Sequence, residues 1–262
     1  MKVTQLVIAA VALMGSVSAL AEQTSIKFGV EPQYPPMESK TDDGKLVGFD
    51  IDLGNAICAQ AKLKCSWVES SFDTLIPALK AKKFDVINSS MDITPQRAKV
   101  IAFTHAIYQL PSQLIVRNGS GLKPTAASLA GKTIGVLQGS SQESYAMKHW
   151  QNHGVNVVPY KDQTQVYFDM VSSRLDGTLV NSSSGQAGFL DKPMGKGYGF
   201  SGKPVYDKAI FGPGIGFGLR KDDKALLSRL NKAIAQVKAQ GLIHKLSKKY
   251  FKNVDVSLPQ KN

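Results

Sequence analysis

The chain has 262 residues, 43% of them hydrophobic and 20% charged, an ordinary globular composition with room for one large domain or two small ones. The formal charge is +12 and the isoelectric point about 9.6. The lysines are spread singly and in pairs, with no basic block and no interleaved aromatic run, so the charge describes a solvated cationic surface and no nucleic-acid partner is expected.

The N-terminal stretch MKVTQLVIAAVALMGSVSALAEQ carries one cation, Lys2, then an apolar run from Leu6 to Met14, then small residues ending in Ala19-Leu20-Ala21. That is the pattern of a secretory signal, too short and wrongly flanked for a membrane span. Residues 1–21 are expected to be removed, leaving a mature chain from Glu22 free in an exported compartment. No cysteine follows the cleavage site, so no lipid anchor is expected there. The two cysteines, Cys58 and Cys65, read in an oxidising compartment as a disulfide, against free core thiols. A metal would need more ligands, and His105, His149, His153 and His244 form no spacing with the cysteines.

From Ser25 strand-like and helix-like segments alternate. SIKFGV (25–30) predicts a strand. GFDIDLGNAICAQAK (48–62) predicts a helix with Ile51, Ala56 and Ile57 inward, and CSWVE (65–69) a strand. FDTLIPALKAKK (72–83) sets Phe72, Leu75, Ile76 and Leu79 on one helical face, and FDVINSS (84–90) predicts a strand and its exit. After LPSQLIVRN (110–118) a second set begins: strand KTIGVL (132–137), a helix over 140–150 capped by Ser140, strand VNVVPY (155–160), a helix over 163–174, and strand LDGTLVN (175–181). The C-terminal part predicts a helix after Asp222 with Leu226, Leu230, Ala233 and Val237 inward and Gly241 as its stop, then an amphipathic LIHKLSKKYF (242–251).

Such alternation implies mostly parallel sheets covered by helices. Because it occurs twice, two lobes are expected: residues 22–109 and 212–262 in the first, 112–207 in the second, with crossings near 109–112 and 206–214. Open α/β sheets bind ligands at the carboxyl ends of their strands. Those ends here are GVEPQY, NSSMDIT, GVLQGSSQ and LVNSSSG, all rich in hydrogen-bonding groups, so the natural site is the cleft between the lobes. In NSSMDITPQR (88–97), Thr94 and Pro95 start a short helix whose free amides carry partial positive charge. Arg97 adds a planar fork suited to a carboxylate. The segment reads as a pocket for one small carboxylate.

YPPM, GFDIDLGNAIC, FDTLIPALKAKKFDVI, SSMDITPQR, IGVLQGSSQESY and GIGFGLRKDD resemble, in order and across nearly all of the mature chain, the periplasmic solute-binding proteins of polar amino acid ABC transporters, above all the lysine/arginine/ornithine-, histidine- and arginine-binding branches. The resemblance implies a two-lobed, type II-like binding-protein fold: two mixed α/β sheets flanked by helices and joined by two hinge strands. It implies a monomer with no catalytic residues and no cofactor, which closes on a small cationic amino acid and docks on permease subunits driven by a separate ATPase.

Carried over residue by residue, the resemblance places the ligand carboxylate on Arg97, helped by Ser90, Asp92 and Thr94 from lobe one and by Ser141 and Gln142 from lobe two. Ser89 would accept from the ligand amine. Tyr34 and Phe72 would sandwich the aliphatic stem, Leu137 would line the far wall, and Glu31 would meet the distal cation. Cys58 and Cys65 match the family's disulfide.

Two departures stand out. Asp92 replaces a serine, as in the arginine-binding branch, and serves only through its amide if its side chain turns away. Asn181 stands where an aspartate usually faces the α-ammonium, so either the free amino acid binds weakly or the ligand has a substituted or missing α-amine, the substituted case as in opine-binding relatives, with Ser182, Ser183 and Ser184 receiving an added polar or acidic group; the plainer alternative is that Asn181 suffices for arginine. Two other readings remain: a dehydratase of the cyclohexadienyl type on the same fold, with Glu31 as its sole evident carboxylate, and a sensory module presenting ligand to a receptor kinase.

Overall fold

The computed structural model describes residues 24–251 and 254–258; the signal-peptide residues 1–21 and Glu22 lie outside them. The fold rests on two five-stranded sheets. The first contains β1 (Ser25–Val30), β4 (Lys64–Glu69), β5 (Val86–Ile87), β6 (Ala102–Phe103) and β12 (Gly218–Leu219), in the order β4-β1-β5-β12-β6. Here β1 runs parallel to β4 and β5, while β12 is antiparallel to both of its neighbours. The second contains β7 (Ser112–Arg117), β8 (Thr133–Leu137), β9 (Asn156–Tyr160), β10 (Gly177–Asn181) and β11 (Tyr198–Val205), in the order β11-β7-β10-β8-β9. Its β8, β9 and β10 are parallel, and β7 is antiparallel to β10 and β11. A hairpin of β2 (Ser39–Lys40) and β3 (Leu46–Val47) precedes the first helix.

On the first sheet, α1 (Phe49–Gln60) packs against α9 (Lys224–Ala239) and α10 (Leu242–Phe251). The stripe Leu226, Leu230, Ala233, Ile234 and Val237 is buried, at the spacing that puts one helical face on a core. Removing Leu230 to alanine would cost about 2–5 kcal/mol by lost transfer energy and residual cavity. Gly241 ends α9 with φ 66°, a left-handed geometry that glycine adopts without a Cβ penalty. In α1 it is Leu53, with Ile51 and Ile57, that is buried; Ala56 is half-buried on the flank.

The helix predicted over 72–83 is shorter and broken. A 3-10 turn at Phe72–Thr74 leads into α2 (Leu75–Lys80), where Ala78 is buried and Ile76 only half-buried. Pro77 sits in the first turn of α2, where its missing N–H costs nothing. The Cys58–Cys65 disulfide ties the end of α1 to β4; closing so short a loop restricts the unfolded chain by about 2.5 kcal/mol.

The chain passes between the sheets at two places that pair with one another. Ile107 N–H donates to Ile215 O at 2.7 Å, and Ile215 N–H to Tyr108 O at 2.8 Å. A third segment joins them, Gln109 N–H donating to Val256 O at 3.0 Å. Gly212 has φ 65°, and a Cβ there would stand 1.8 Å from Ile93 O, so only glycine lets the returning chain lie this close to 93–94.

Candidate functional site

The strand exits named from the sequence converge between the two sheets. A narrow cavity is lined by Tyr34, Glu38, Phe72, Ser89, Ser90 and Asp92 from the first sheet's side and Leu137, Ser140, Ser141, Gln142 and Asn181 from the second's. Nine of the residues expected from the sequence are among these. Glu31, Thr94 and Arg97 are not. Arg97 and Thr94 line an adjoining groove with Gly139, Ser141 and Glu143. Glu31 lines a shallower depression with Gln33, Ser70, Ser71, Lys161 and Asp162.

Each feature has a local cause. Thr94 caps α3 (Pro95–Ala98), its hydroxyl accepting from Arg97 N–H at 3.1 Å. That helix is a single turn, so Arg97 carries most of the positive charge. Arg97 is only 9% exposed, and its guanidinium donates to Asp92 O at 2.8 Å and, across the cleft, to Gly139 O at 2.9 Å. It lies 5.5 Å from the centre of the Phe72 ring, within reach of a cation–π contact. Burial lowers its pKa, and the Asp92 charge opposes that shift.

On the second sheet's side α5 (Ser141–His149) is capped as the sequence predicts: Ser140 Oγ accepts from Glu143 N–H at 3.0 Å. Glu143 reaches back to accept from Gly139 N–H at 2.6 Å. This reciprocal cap aims Ser141 and Gln142 into the cavity. Gln142 donates to Ser112 Oγ at 2.8 Å and to Asn181 Oδ1 at 2.9 Å. Asn181 N–H donates across the cleft to the Tyr34 hydroxyl at 3.3 Å.

The Asp92 side chain does not turn away. Its carboxylate accepts from Ser141 Oγ of the opposite lobe, because burial leaves it that hydroxyl and the nearby Arg97 as its stabilising neighbours. Burial raises its pKa to about 6, while Arg97 and the Ser141 bond hold it down.

Sequence reasoning missed a buried acid cluster behind this wall. Asp50, from the first turn of α1, accepts from Ser90 N–H at 2.7 Å, Ser90 Oγ at 3.0 Å and the Tyr108 hydroxyl at 2.6 Å. These bonds hold Ser90 at φ 47°, a left-handed conformation costly for a non-glycine residue. Glu38 lines the cavity beside Ser89, whose hydroxyl donates to Glu38 Oε1 at 2.9 Å. The available signal was the turn YPPME: Tyr34 and Glu38 exchange backbone bonds, Tyr34 N–H to Glu38 O at 2.9 Å and Glu38 N–H to Tyr34 O at 3.2 Å, which sets the two side by side. Burial, with the Asp50 charge second, pushes the Glu38 pKa well up. Glu31 N–H donates to Ser89 Oγ at 3.1 Å, and Glu31 Oε1 accepts from Gln33 N–H at 3.0 Å. Burial raises the Glu31 pKa to about 8, against the Gln33 bond. Among the described residues no cluster of side chains has metal-binding character.

Two sheet-based lobes, joined by paired crossings and sharing a polar cleft at their strand exits, define a two-lobed periplasmic binding protein. The chain belongs to the bacterial extracellular solute-binding proteins, family 3, whose model matches residues 26–253. It is 48% identical over 236 residues to the lysine/arginine/ornithine-binding periplasmic protein of Escherichia coli K12, covering 90% of each chain. It is 46% identical to the histidine-binding periplasmic protein of Salmonella typhimurium, covering 86% of this chain and 87% of that one. Among solved structures, an arginine-specific periplasmic binding protein of Salmonella typhimurium matches with a TM-score of 0.80 and 31% identity, over 87% of this chain and 99% of that one.

Proposed function

We propose that this chain is the periplasmic substrate-binding component of an ABC importer, capturing a basic amino acid of the arginine, ornithine or lysine type and delivering it to permease subunits energised by a separate ATPase. The observation that carries this reading is the pairing of opposite charges at one cleft. The Arg97 guanidinium spans the lobes in the groove adjoining the cavity, and the buried carboxyl groups Glu38 and Asp92 line the cavity itself. Relatives named for basic amino acids support it. Arg97 takes the ligand carboxylate, with Ser90, Thr94, Ser141 and Gln142 around it. Tyr34, Phe72 and Leu137 hold the stem, and Ser89 and Asn181 meet the amine. Glu31 receives the distal cation, which displaces its proton.

The protein acts as a monomer exported by a signal peptide cleaved after Ala21. On this reading it binds without turnover, so no product is expected from prephenate or arogenate. The basic amino acid reading is tested by thermal shift with arginine, ornithine, lysine, histidine, octopine and nopaline. A ligand at a hundred times its Kd stabilises by about 2.7 kcal/mol; no shift with any basic amino acid overturns the reading. Asn181 favours a second ligand class, N-substituted arginine derivatives. Its carbonyl is already engaged by Gln142 and it carries no negative charge for an ammonium. A shift with octopine or nopaline that exceeds the shift with arginine would select it.

A further inference from the structure

Asn181 leaves the second lobe without a carboxylate at the place expected to face the ligand amine. A buried ammonium with no counter-charge is strongly disfavoured. The same cavity nevertheless contains an acid on its other wall. Glu38 is 1% exposed and is fixed beside the Tyr34 ring by their two backbone bonds. One of its oxygens takes the Ser89 hydroxyl, and the other, Oε2, meets no donor.

The groups around Glu38 are acids and phenols. Asp50 and Glu31 act on it, and Tyr34, Tyr108 and Asp92 complete the neighbourhood. Arg97 is the one cation among the buried described residues, and it is committed to the Asp92 end. Asp50 already takes three donors from Ser90 and Tyr108 and also bonds the Glu38 carboxyl, a contact that favours the acid form of Glu38 and the ionised form of Asp50, so Glu38 carries the proton between them. What this end of the cavity lacks is a cation with protons to donate, and an ammonium held by Ser89 stands one hydroxyl away from Glu38.

We propose that Glu38 is the specificity-determining carboxylate for the ligand's α-ammonium, the counter-charge having moved from lobe two to lobe one. This rests on the basic amino acid reading above. The ammonium takes the place of the acid proton of Glu38, which leaves to solvent, so binding releases a proton.

Calorimetry at pH 7 in two buffers of different ionisation enthalpy tests this, using arginine and 5-guanidinopentanoate, which keeps the carboxylate and the guanidinium but has no α-amine. Glu38→Gln is expected to weaken arginine roughly ten- to a hundredfold while leaving the des-amino compound within about twofold, as for loss of one charge-assisted bond. The variant also loses the proton release that Glu38 supplies, and Glu38→Gln/Asn181→Asp regains arginine affinity.

Asn181→Asp alone covers the case of a Glu38→Gln protein that does not fold: with a counter-charge already present, arginine affinity changes by less than about threefold, whereas a gain of tenfold or more would show an ammonium previously unpaired and overturn the assignment. Equal loss of both ligands in Glu38→Gln, or unchanged arginine affinity, also overturns it. If the unaltered protein binds no basic amino acid, the functional reading falls and this proposal with it; if it binds arginine normally and only the variants disagree, Glu38 alone is misassigned.

Discussion

Asp92→Asn is expected to tighten carboxylate binding, by an amount that depends on pH. The Asp92 carboxylate bonds Ser141 and lies close enough to Arg97 for the guanidinium to lower its pKa, so it occupies the place proposed for the ligand's own carboxylate. Two carboxylates in one buried pocket disfavour each other's ionised form, and the cheaper outcome is protonation of Asp92. With its pKa at about 6, protonating it at pH 7.5 costs about 2 kcal/mol at roughly 1.4 kcal/mol per pH unit, or about thirtyfold in affinity. The cost fades below pH 6 and vanishes near pH 5. In their proposed roles Glu31 and Glu38 would impose the opposite dependence on a cationic ligand, since each would have to ionise to receive it. The useful quantity is therefore the ratio of affinities between Asp92→Asn and the unaltered protein, in which those contributions cancel. Titration calorimetry with arginine from pH 5 to pH 8 should show that ratio climbing from near one to about thirty at pH 7.5. A ratio that stays flat, or an asparagine variant that binds more weakly throughout, would refute the competition.

Arg97→Ala should lose about 2–5 kcal/mol of binding, because the ligand carboxylate is left buried without its partner; calorimetry showing unchanged affinity would remove Arg97 from the site. Glu31→Gln should weaken arginine and lysine by about 1.5–3 kcal/mol while leaving glutamine unaffected, as competition binding would show. The same variant alters stability against pH. The Glu31 pKa is raised from 4.5 to about 8, so its contribution is fully present below 4.5 and is lost as the pH rises through 8. Urea unfolding should find the unaltered protein losing up to about 5 kcal/mol over that range from this group, a loss absent in Glu31→Gln. Replacing both Cys58 and Cys65 by serine should lower unfolding free energy by about 2.5 kcal/mol, measured the same way.

Periodicity made most of the scaffold legible. β1 alternates Ile26, Phe28 and Val30 toward the core, and the α9 stripe repeats at helical spacing. The break in α2 was harder to see, since Phe72, Leu75 and Leu79 keep a helical spacing through a 3-10 turn. The run Ser182–Leu190, with no apolar period to declare it, forms one short α-helical turn continued by a π-helical one. Most cavity-lining residues just past strand ends were readable because chain direction points those ends at the cleft, whereas Glu31, also just past a strand, lines a separate depression. Glu38 and Asp50 were not: one is brought in by a backbone bridge to Tyr34, the other by bonds to Ser90, forty positions away. The orientation of Asp92 was equally hidden, as it depends on a hydroxyl contributed by the other lobe.

Closure and recognition share residues here, and Tyr34→Phe separates them. Among the described residues, three hydrogen bonds span the cleft: Arg97 to Gly139 O, Ser141 to Asp92, and Asn181 N–H to the Tyr34 hydroxyl. A ligand moves the equilibrium between open and closed lobes only through its preference for the closed form, so each such contact sets how much of that preference survives as affinity. Removing the Tyr34 hydroxyl would keep the ring in its proposed place against the ligand stem but strand the Asn181 N–H in the closed cleft, while an open cleft lets water satisfy it. Leaving a buried donor unpaired costs about 1–3 kcal/mol, and the whole cost falls on closure. Affinities for arginine, ornithine and lysine should therefore drop together, by roughly five- to a hundredfold with their ratios preserved, and X-ray scattering at subsaturating ligand should show a larger radius of gyration. A variant that changes the ratios between ligands would show instead that the hydroxyl reads the side chain, and would break the separation between gripping the ligand and shutting the lobes.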